Sequence, residues 1–211
     1  MFSNEILVPV SRTESPFKLY KQDFRTFRFG DYGILLNEAT GKKRILEFGP
    51  GCSTWALIES GCPEIVTCEY DPRFLESAKE KFKDYPQVKV IPFLDTAPEA
   101  QADLQGEFDL AFVDSPKGYR NIPGKTPPGG RIRHKGQEDC SRLNTCLLAL
   151  KHSPIVLLHD AYRPCERATL GRLSALGHEI TFYPNAWYSI QVRIMAGGFA
   201  RIERCPKHRT N

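Results

Sequence analysis

The chain has 211 residues, a net charge of +4 and 41% hydrophobic residues. That length suits one domain with a sizeable core, and the apolar and charged fractions exclude an intrinsically disordered chain. No apolar run reaches the ~18 residues that a membrane-spanning helix needs, so no membrane span is expected.

The N-terminus, MFSNEILVPVSRTESPFK, lacks the basic start and long apolar stretch of a secretory signal, and a cytoplasmic location is expected. Cysteines stand at 52, 62, 68, 140, 146, 165 and 205, with no CxxC among them. An odd number of cysteines, several in apolar runs, points to reduced, buried thiols rather than a disulfide framework or a zinc site.

Residues 1–40 form an N-terminal arm. Its aromatics, Phe17, Tyr20, Phe24, Phe27 and Phe29, are too many for a disordered tail. A helix is expected near 18–27 and a second, short one between Asp31 and Thr40. From residue 41 to 196 the pattern alternates strand and helix. Ile45, Leu46 and Phe48 make a buried strand near 43–48. Gly49-Pro50-Gly51 breaks it, and Ser53 and Thr54 are suited to start the helix near 53–60. A second strand near 64–69 ends in Glu69. Asp71-Pro72 then opens a helix, with Asp as cap and Pro at the first position; Phe74, Leu75, Ala78 and Phe82 recur on one of its faces. QVKVIP is the third strand, with Asp95 just past its end and a short helix expected at 97–104. FDLAFVD is the fourth strand, ending at Asp114.

Residues 115–138 are of another kind. They are rich in Gly and Pro and show no periodicity. They carry Lys117, Arg120, Lys125, Arg131, Arg133 and Lys135 against a single acid, Glu138. A loop this long inside a compact domain is usually functional, and its charge suits an anionic acceptor, since guanidinium forks pair with carboxylates and phosphates. A helix near 139–151, the strand PIVLLHD ending at His159-Asp160, a helix from Pro164 to about 176, and two strands near 179–183 and 188–195 follow. Residues 197–211 read as a loose basic tail.

Repeated βαβ units imply a doubly wound sheet with right-handed crossovers. Ligands bind such sheets at the carboxyl ends of the strands, where Gly49, Gly51, Glu69, Asp95, Asp114, His159 and Asp160 all fall. A glycine turn lets a ligand approach the backbone. The free N–H groups of the following helix favour a polar or negative group. An acid at the next strand end is placed to grip a ribose. Together these point to a nucleoside-containing cofactor, either a dinucleotide or S-adenosylmethionine.

With these residues in place, the chain resembles the class I S-adenosylmethionine-dependent methyltransferases over about residues 41–196. LEFGPGCST is similar to their first motif, with Glu47 as its acid and Gly49 and Gly51 as its glycines; CEYDP is similar to the second, with Glu69 on the ribose hydroxyls and Tyr70 beside it. The resemblance implies a Rossmann-like, mostly parallel seven-stranded sheet with one antiparallel closing strand and helices on both faces. It also implies that Glu47, Gly49, Gly51, Ser53, Thr54, Glu69, Tyr70, Asp95 and Asp114 bind S-adenosyl-L-methionine, with Asp95 at the adenine.

A narrower resemblance is to the polysaccharide-biosynthesis methyltransferases that O-methylate glucuronic acid on xylan. Asp114, Pro116, Gly118, Tyr119, Pro123 and Gly124 match one of that family's segments, and His159, Asp160, Arg163 and Glu166 match the other. It implies O-methylation of an acidic, uronic-acid-like carbohydrate. On this reading Asp114, His159 and Asp160 are catalytic. Lys117, Tyr119, Arg120, Arg131, Arg133, Arg163 and Glu166 hold the acceptor.

A sugar hydroxyl is a poor nucleophile, and a base beside it contributes about 10²–10⁴-fold. Asp114 or Asp160 would orient it, with His159 as the alternative base. Two acids at neighbouring strand ends also suggest a divalent metal, as in catechol-type O-methyltransferases, whose second acid is followed by an amide residue. Here Ala161 follows Asp160, which leaves that set incomplete. Three other readings stay open. Asp114-Ser115-Pro116-Lys117 lacks the aromatic of base N-methyltransferases but leaves RNA or other nucleic-acid O-methylation possible. A nicotinamide oxidoreductase would need the third glycine that this turn lacks. A non-catalytic nucleotide-binding protein would not need acids at 114 and 160.

Overall fold

The computed structural model describes residues 31–93, 104–115, 119–121, 137–139, 142–183 and 198–206. The helix expected near 18–27, Asp95, all but the last residue of the helix expected at 97–104, Lys117, Arg131, Arg133 and the strand expected at 188–195 lie outside them. The elements follow in the order α1 (Asp31–Ala39), β1 (Arg44–Phe48), α2 (Cys52–Glu59), β2 (Glu64–Glu69), α3 (Pro72–Phe82), β3 (Val88–Pro92), β4 (Leu110–Val113), β5 (Tyr119–Asn121), β6 (Gln137–Asp139), α4 (Leu143–His152), β7 (Ile155–His159), α5 (Pro164–Ala175), β8 (Glu179–Phe182) and β9 (Phe199–Glu203). No described helix is long and apolar enough to cross a membrane.

Seven strands form one sheet in the order β3-β2-β1-β4-β7-β9-β8. The pairs from β3 to β7 are parallel, and β9 runs antiparallel to both β7 and β8. The chain winds outward from β1 in one direction and then from β4 in the other. The β1/β4 boundary is therefore the switch point at which open α/β sheets bind ligands.

Side-chain alternation along the strands sorts the core into two layers. On one face Ile45, Ile65, Leu110, Phe112, Leu157 and Phe199 pack beneath α1, α2 and α3. On the other, Leu46, Val66, Ala111, Val113, Leu158 and Ile202 meet α4 and α5. Local chemistry sets the helix starts in the expected way: Asp71 accepts the Arg73 N–H at 3.0 Å, and Pro72 follows it. Both faces of the central strands are covered, which is why their sequences read as continuous apolar runs.

Two expectations are corrected. The antiparallel closing strand is Phe199–Glu203, inside the segment read as a loose tail from 197. FARIE alternates in the manner of a strand, but the basic residues after it dominate the composition of the segment. Nor is 115–138 devoid of regular structure: Tyr119–Asn121 pairs antiparallel with Gln137–Asp139, closing the loop at its base. Three-residue strands are too short to show a period.

Because β9 lies between β7 and β8 with Phe199 fully buried, a chain ended at residue 196 is expected to lose its cooperative unfolding transition. Phe199→Ala should cost about 3–5 kcal/mol. Guanidinium unfolding followed by circular dichroism measures both.

Candidate active site

The glycine turn sits at the switch point. Gly49 donates its N–H to Cys68 O at 2.9 Å, and Asp114 N donates to Phe48 O at 2.9 Å. Gly49 has φ +96°, and a Cβ there would lie 2.9 Å from the Ser115 Cβ, so both backbone conformation and space require glycine. A Cβ on Gly51 would meet nothing within 4 Å. That open space above a helix start is where a cofactor's backbone-facing edge would fit.

Glu47, fully buried, accepts a hydrogen bond from Thr54 Oγ1 at 2.7 Å, and Thr54 Oγ1 in turn accepts the Gly51 N–H at 3.0 Å. The Glu47 acid thus braces the turn from below. Burial pushes its carboxyl up to about 7, although the hydroxyls of Ser53, Thr54 and Thr67 oppose this. Its Oε1 has no hydrogen-bond partner among the described residues. Ser53 and Thr54 are buried, so their side chains serve the turn. Glu69 ends β2 nearly buried and accepts the Asp71 N–H at 2.9 Å. Tyr70 packs half-buried beside it.

Sheet alternation carries Asp114 and His159 onto the α1 side, in line with Phe112 and Leu157. The His159 Nδ1 lies 3.0 Å from Asp114 Oδ1, and its Nε2 lies 3.3 Å from Asp31 Oδ2. Burial opposes charge on this ring, yet Asp114 and Asp160 together lift its pKa well above the ordinary value. Desolvation would raise the Asp114 carboxyl, but His159, Arg142 and Arg163 overcome it and hold it down at about 2. His159 thus has an acid facing each ring nitrogen.

Asp160 is the one non-glycine residue with positive φ among the described residues, at +57°. Asp tolerates this left-handed conformation better than most residues. The turn ends β7 and brings Asp160 Oδ2 to 2.6 Å from Arg163 Nη2.

The sequence reading missed the group at the middle of these acids. Arg142, the residue before α4, is 2% exposed. Its Nη2 lies 3.1 Å from Asp114 Oδ1 and 3.7 Å from Asp160 Oδ2. Its Nε lies 3.6 Å from Glu166, and its Nη1 donates to His159 O at 2.9 Å. Glu166, expected at the acceptor, is fully buried against Arg142. Burial raises its pKa. Arg163 keeps partial exposure, as does Asp114 at 22% of its side chain. Tyr119 and Arg120 lie on β5, next to this edge in sequence.

Asp114, His159 and Asp160 do bring three potential metal ligands within 4.8 Å of one another. Arg142 already places its charge against both acids, however, and an imidazole nitrogen is not the oxygen ligand that Mg²⁺ or Ca²⁺ takes. The set does not fit such an ion.

The chain matches no protein-family model and no curated protein sequence. Its fold does match solved structures. Over 91% of this chain and 88% of the other, it is similar to the SAH-bound Podospora anserina methyltransferase PaMTH1, with TM-score 0.56 and 20% identity. It is also similar to the precorrin-6y C5,15-methyltransferase of Geobacter metallireducens (TM-score 0.54, 12% identity, 83% of this chain and 88% of that one). A third match is Pyrococcus horikoshii NSun6 with SFG (TM-score 0.53, 12% identity, 81% of this chain and 50% of that one). The chain therefore has the class I methyltransferase fold, as the strand order and the antiparallel β9 already indicated.

The buried charges give stability a definite pH dependence. The unfolded chain releases the His159 proton near 6.5, whereas the folded chain holds it to higher pH. This contribution is full below 6.5 and is lost as pH rises through the folded value. Glu47 also weakens the fold as pH rises from 4.5 to about 7, because ionising it is penalised only when buried. Asp114 acts oppositely, losing its contribution as pH falls from 3.8 towards about 2. Denaturant midpoints across the pH range should fall on the alkaline side, and Glu47→Gln should remove the part of that fall between 4.5 and 7. Arg142→Met should cost about 3–5 kcal/mol at neutral pH by leaving the acids uncompensated.

Proposed function

We propose that the protein is an S-adenosylmethionine-dependent O-methyltransferase acting on a hydroxyl of an acidic acceptor, a uronic-acid-like carbohydrate. The carrying observation is the conjunction of an open glycine turn at Gly51 with an ionised, part-exposed Asp114 across the same switch point. S-adenosylmethionine, when bound, supplies an electrophilic methyl group on a sulfonium. Gly49 and Gly51 would admit it, Glu69 would hold its ribose, and Glu47 would keep the turn rigid from beneath.

The remaining work belongs to the protein's own side chains. Asp114 accepts the hydrogen bond of the reacting hydroxyl and so fixes the direction of its lone pair. Alignment of this kind supplies most of what a one-step displacement needs. Asp160 and Arg163 border the same opening. The acidic-acceptor part of the reading rests on the match of Asp114, Pro116, Gly118, Tyr119, Pro123 and Gly124, and of His159, Asp160 and Arg163, to the xylan-modifying family. It rests also on the cations of residues 115–138, Arg131 and Arg133 above all.

Calorimetry should show binding of S-adenosylhomocysteine and not of NAD. Glu69→Ala should weaken that binding by about 1.5–3 kcal/mol, the worth of a hydrogen bond to a charged group. A methyl-transfer assay with acidic oligosaccharides, RNA and small phenols tests the acceptor. The Arg131→Ala/Arg133→Ala double variant should raise KM for an anionic acceptor and leave cofactor affinity unchanged. Transfer to RNA alone would discard the carbohydrate reading and keep the chemistry.

A further inference from the structure

Asp31 opens α1 and is fully buried. Its Oδ2 lies 3.3 Å from His159 Nε2 and accepts the Gly198 N–H at 3.1 Å. It thereby joins the first described helix to the end of β7 and to the residue that leads into β9. The segment is well fixed: Tyr32, Leu35 and Ala39 are buried in the layer that contains Trp55 and Leu57. A buried acid at a helix start is also favoured by the positive end of the helix dipole.

Asp31 and Asp114 therefore face opposite nitrogens of one ring. Ionised carboxylates only accept hydrogen bonds, and a neutral imidazole donates from one nitrogen alone. Only the imidazolium satisfies both acids. Other groups face it too. Asp160 Oδ2 is 3.9 Å from Nδ1, Arg142 approaches from the start of α4 and binds the His159 carbonyl, and the tilted Phe112 and Phe199 rings pack beside it with centroids 6.2 and 5.2 Å away. The aromatic rings leave the imidazole little freedom to rotate. His159 and Arg142 both approach Asp114 Oδ1.

We infer that Asp31 is a positioning residue for methyl transfer: by pairing with Nε2 it keeps His159 doubly protonated, so that the imidazolium, with Nδ1 3.0 Å from Asp114 Oδ1, holds that carboxylate by charge beside the acceptor hydroxyl. This rests on the methyltransferase reading for its purpose, though not for the pairing itself.

Nitrogen NMR of the histidine rings in the full chain tests the pairing without cofactor or acceptor, the His159 signal being the one lost in His159→Gln. In the unaltered protein His159 is expected as an imidazolium at pH 7, and a neutral ring there would overturn the inference. Asp31→Asn keeps the size of the side chain and removes its charge. It should lower the proton affinity of His159 by at least about tenfold, the smallest effect typical of a lost opposite charge at this range.

In turnover, Asp31→Asn should lower kcat and leave KM for the cofactor unchanged. It should also introduce a fall in kcat as pH rises through the new His159 midpoint, a feature that mere loosening of the fold would not produce. An unchanged His159 midpoint in folded Asp31→Asn, or an unchanged pH profile of kcat, sinks the proposal. If no acceptor is methylated and no S-adenosylhomocysteine binds, the methyltransferase reading fails while the NMR result still decides whether Asp31 holds His159 charged.

Discussion

The arrangement of the strand ends depends on one buried guanidinium. Arg142 reaches acids from the ends of β4 and β7 and from the first turn of α5, and it takes the last carbonyl of β7 as well. Taking such a group out of water costs several kcal/mol, and its pairs recover this only when their geometry is good. The return is better understood as placement than as stability. Asp114 and Asp160 carry like charges at neighbouring strand ends and would drive each other apart or take up protons. With Arg142 between them, and with His159 and Arg163 outside, Asp114 stays ionised while most of its surface is out of solvent. A carboxylate held in that way is fixed in charge and in direction together.

Strand periodicity decides which side chains can join this cluster. Alternation puts Asp114 and His159 on the α1 face with Phe112 and Leu157, so an acid on α1 can reach the ring from below. Arg142 belongs to the opposite layer and arrives over the carboxyl edge of the sheet. Asp160 would continue the β7 alternation if the strand ran on. Its positive φ ends the strand there and turns the carboxylate towards Arg163. The cost of one left-handed residue is thus tied to the formation of the Asp160–Arg163 pair, in keeping with the tendency of such conformations to collect at working sites.

Much of this was legible in the sequence because it is local. The glycine turn, Glu47 and Glu69 belong to strand–turn–helix units whose spacing is visible in a single pass. Asp114, His159 and Asp160 stand out as polar residues at the ends of apolar strands. Arg142 and Asp31 could not be found in that way. Each looks like an ordinary polar residue at a helix start, and their partners lie 17 to 167 residues away in the chain. The only sequence signal was indirect: two acids and a histidine at buried strand ends require a cation from somewhere. That Glu166 turns inward to Arg142 was equally invisible, since its partner is distant in the chain. β9 was displaced because a five-residue strand flanked by basic residues is outweighed by the composition around it.

The low proton affinity of Asp114 raises an objection to its proposed role as the partner of an acceptor hydroxyl, since a base with a pKa of about 2 cannot remove a proton from an alcohol in the ground state. The objection concerns the wrong moment. A hydroxyl oxygen becomes far more acidic as a new bond to carbon forms on it, so the proton is ready to leave late in the displacement, when even a weak carboxylate suffices. What is required earlier is that Asp114 be ionised without exception and point one way. The same cations that depress its basicity ensure both. A stronger base at this position would spend part of its time protonated and would be less firmly held, because the ion pairs that orient it are the ones that lower its pKa. Orientation and basicity are traded against each other, and the cluster around Arg142 is built for orientation.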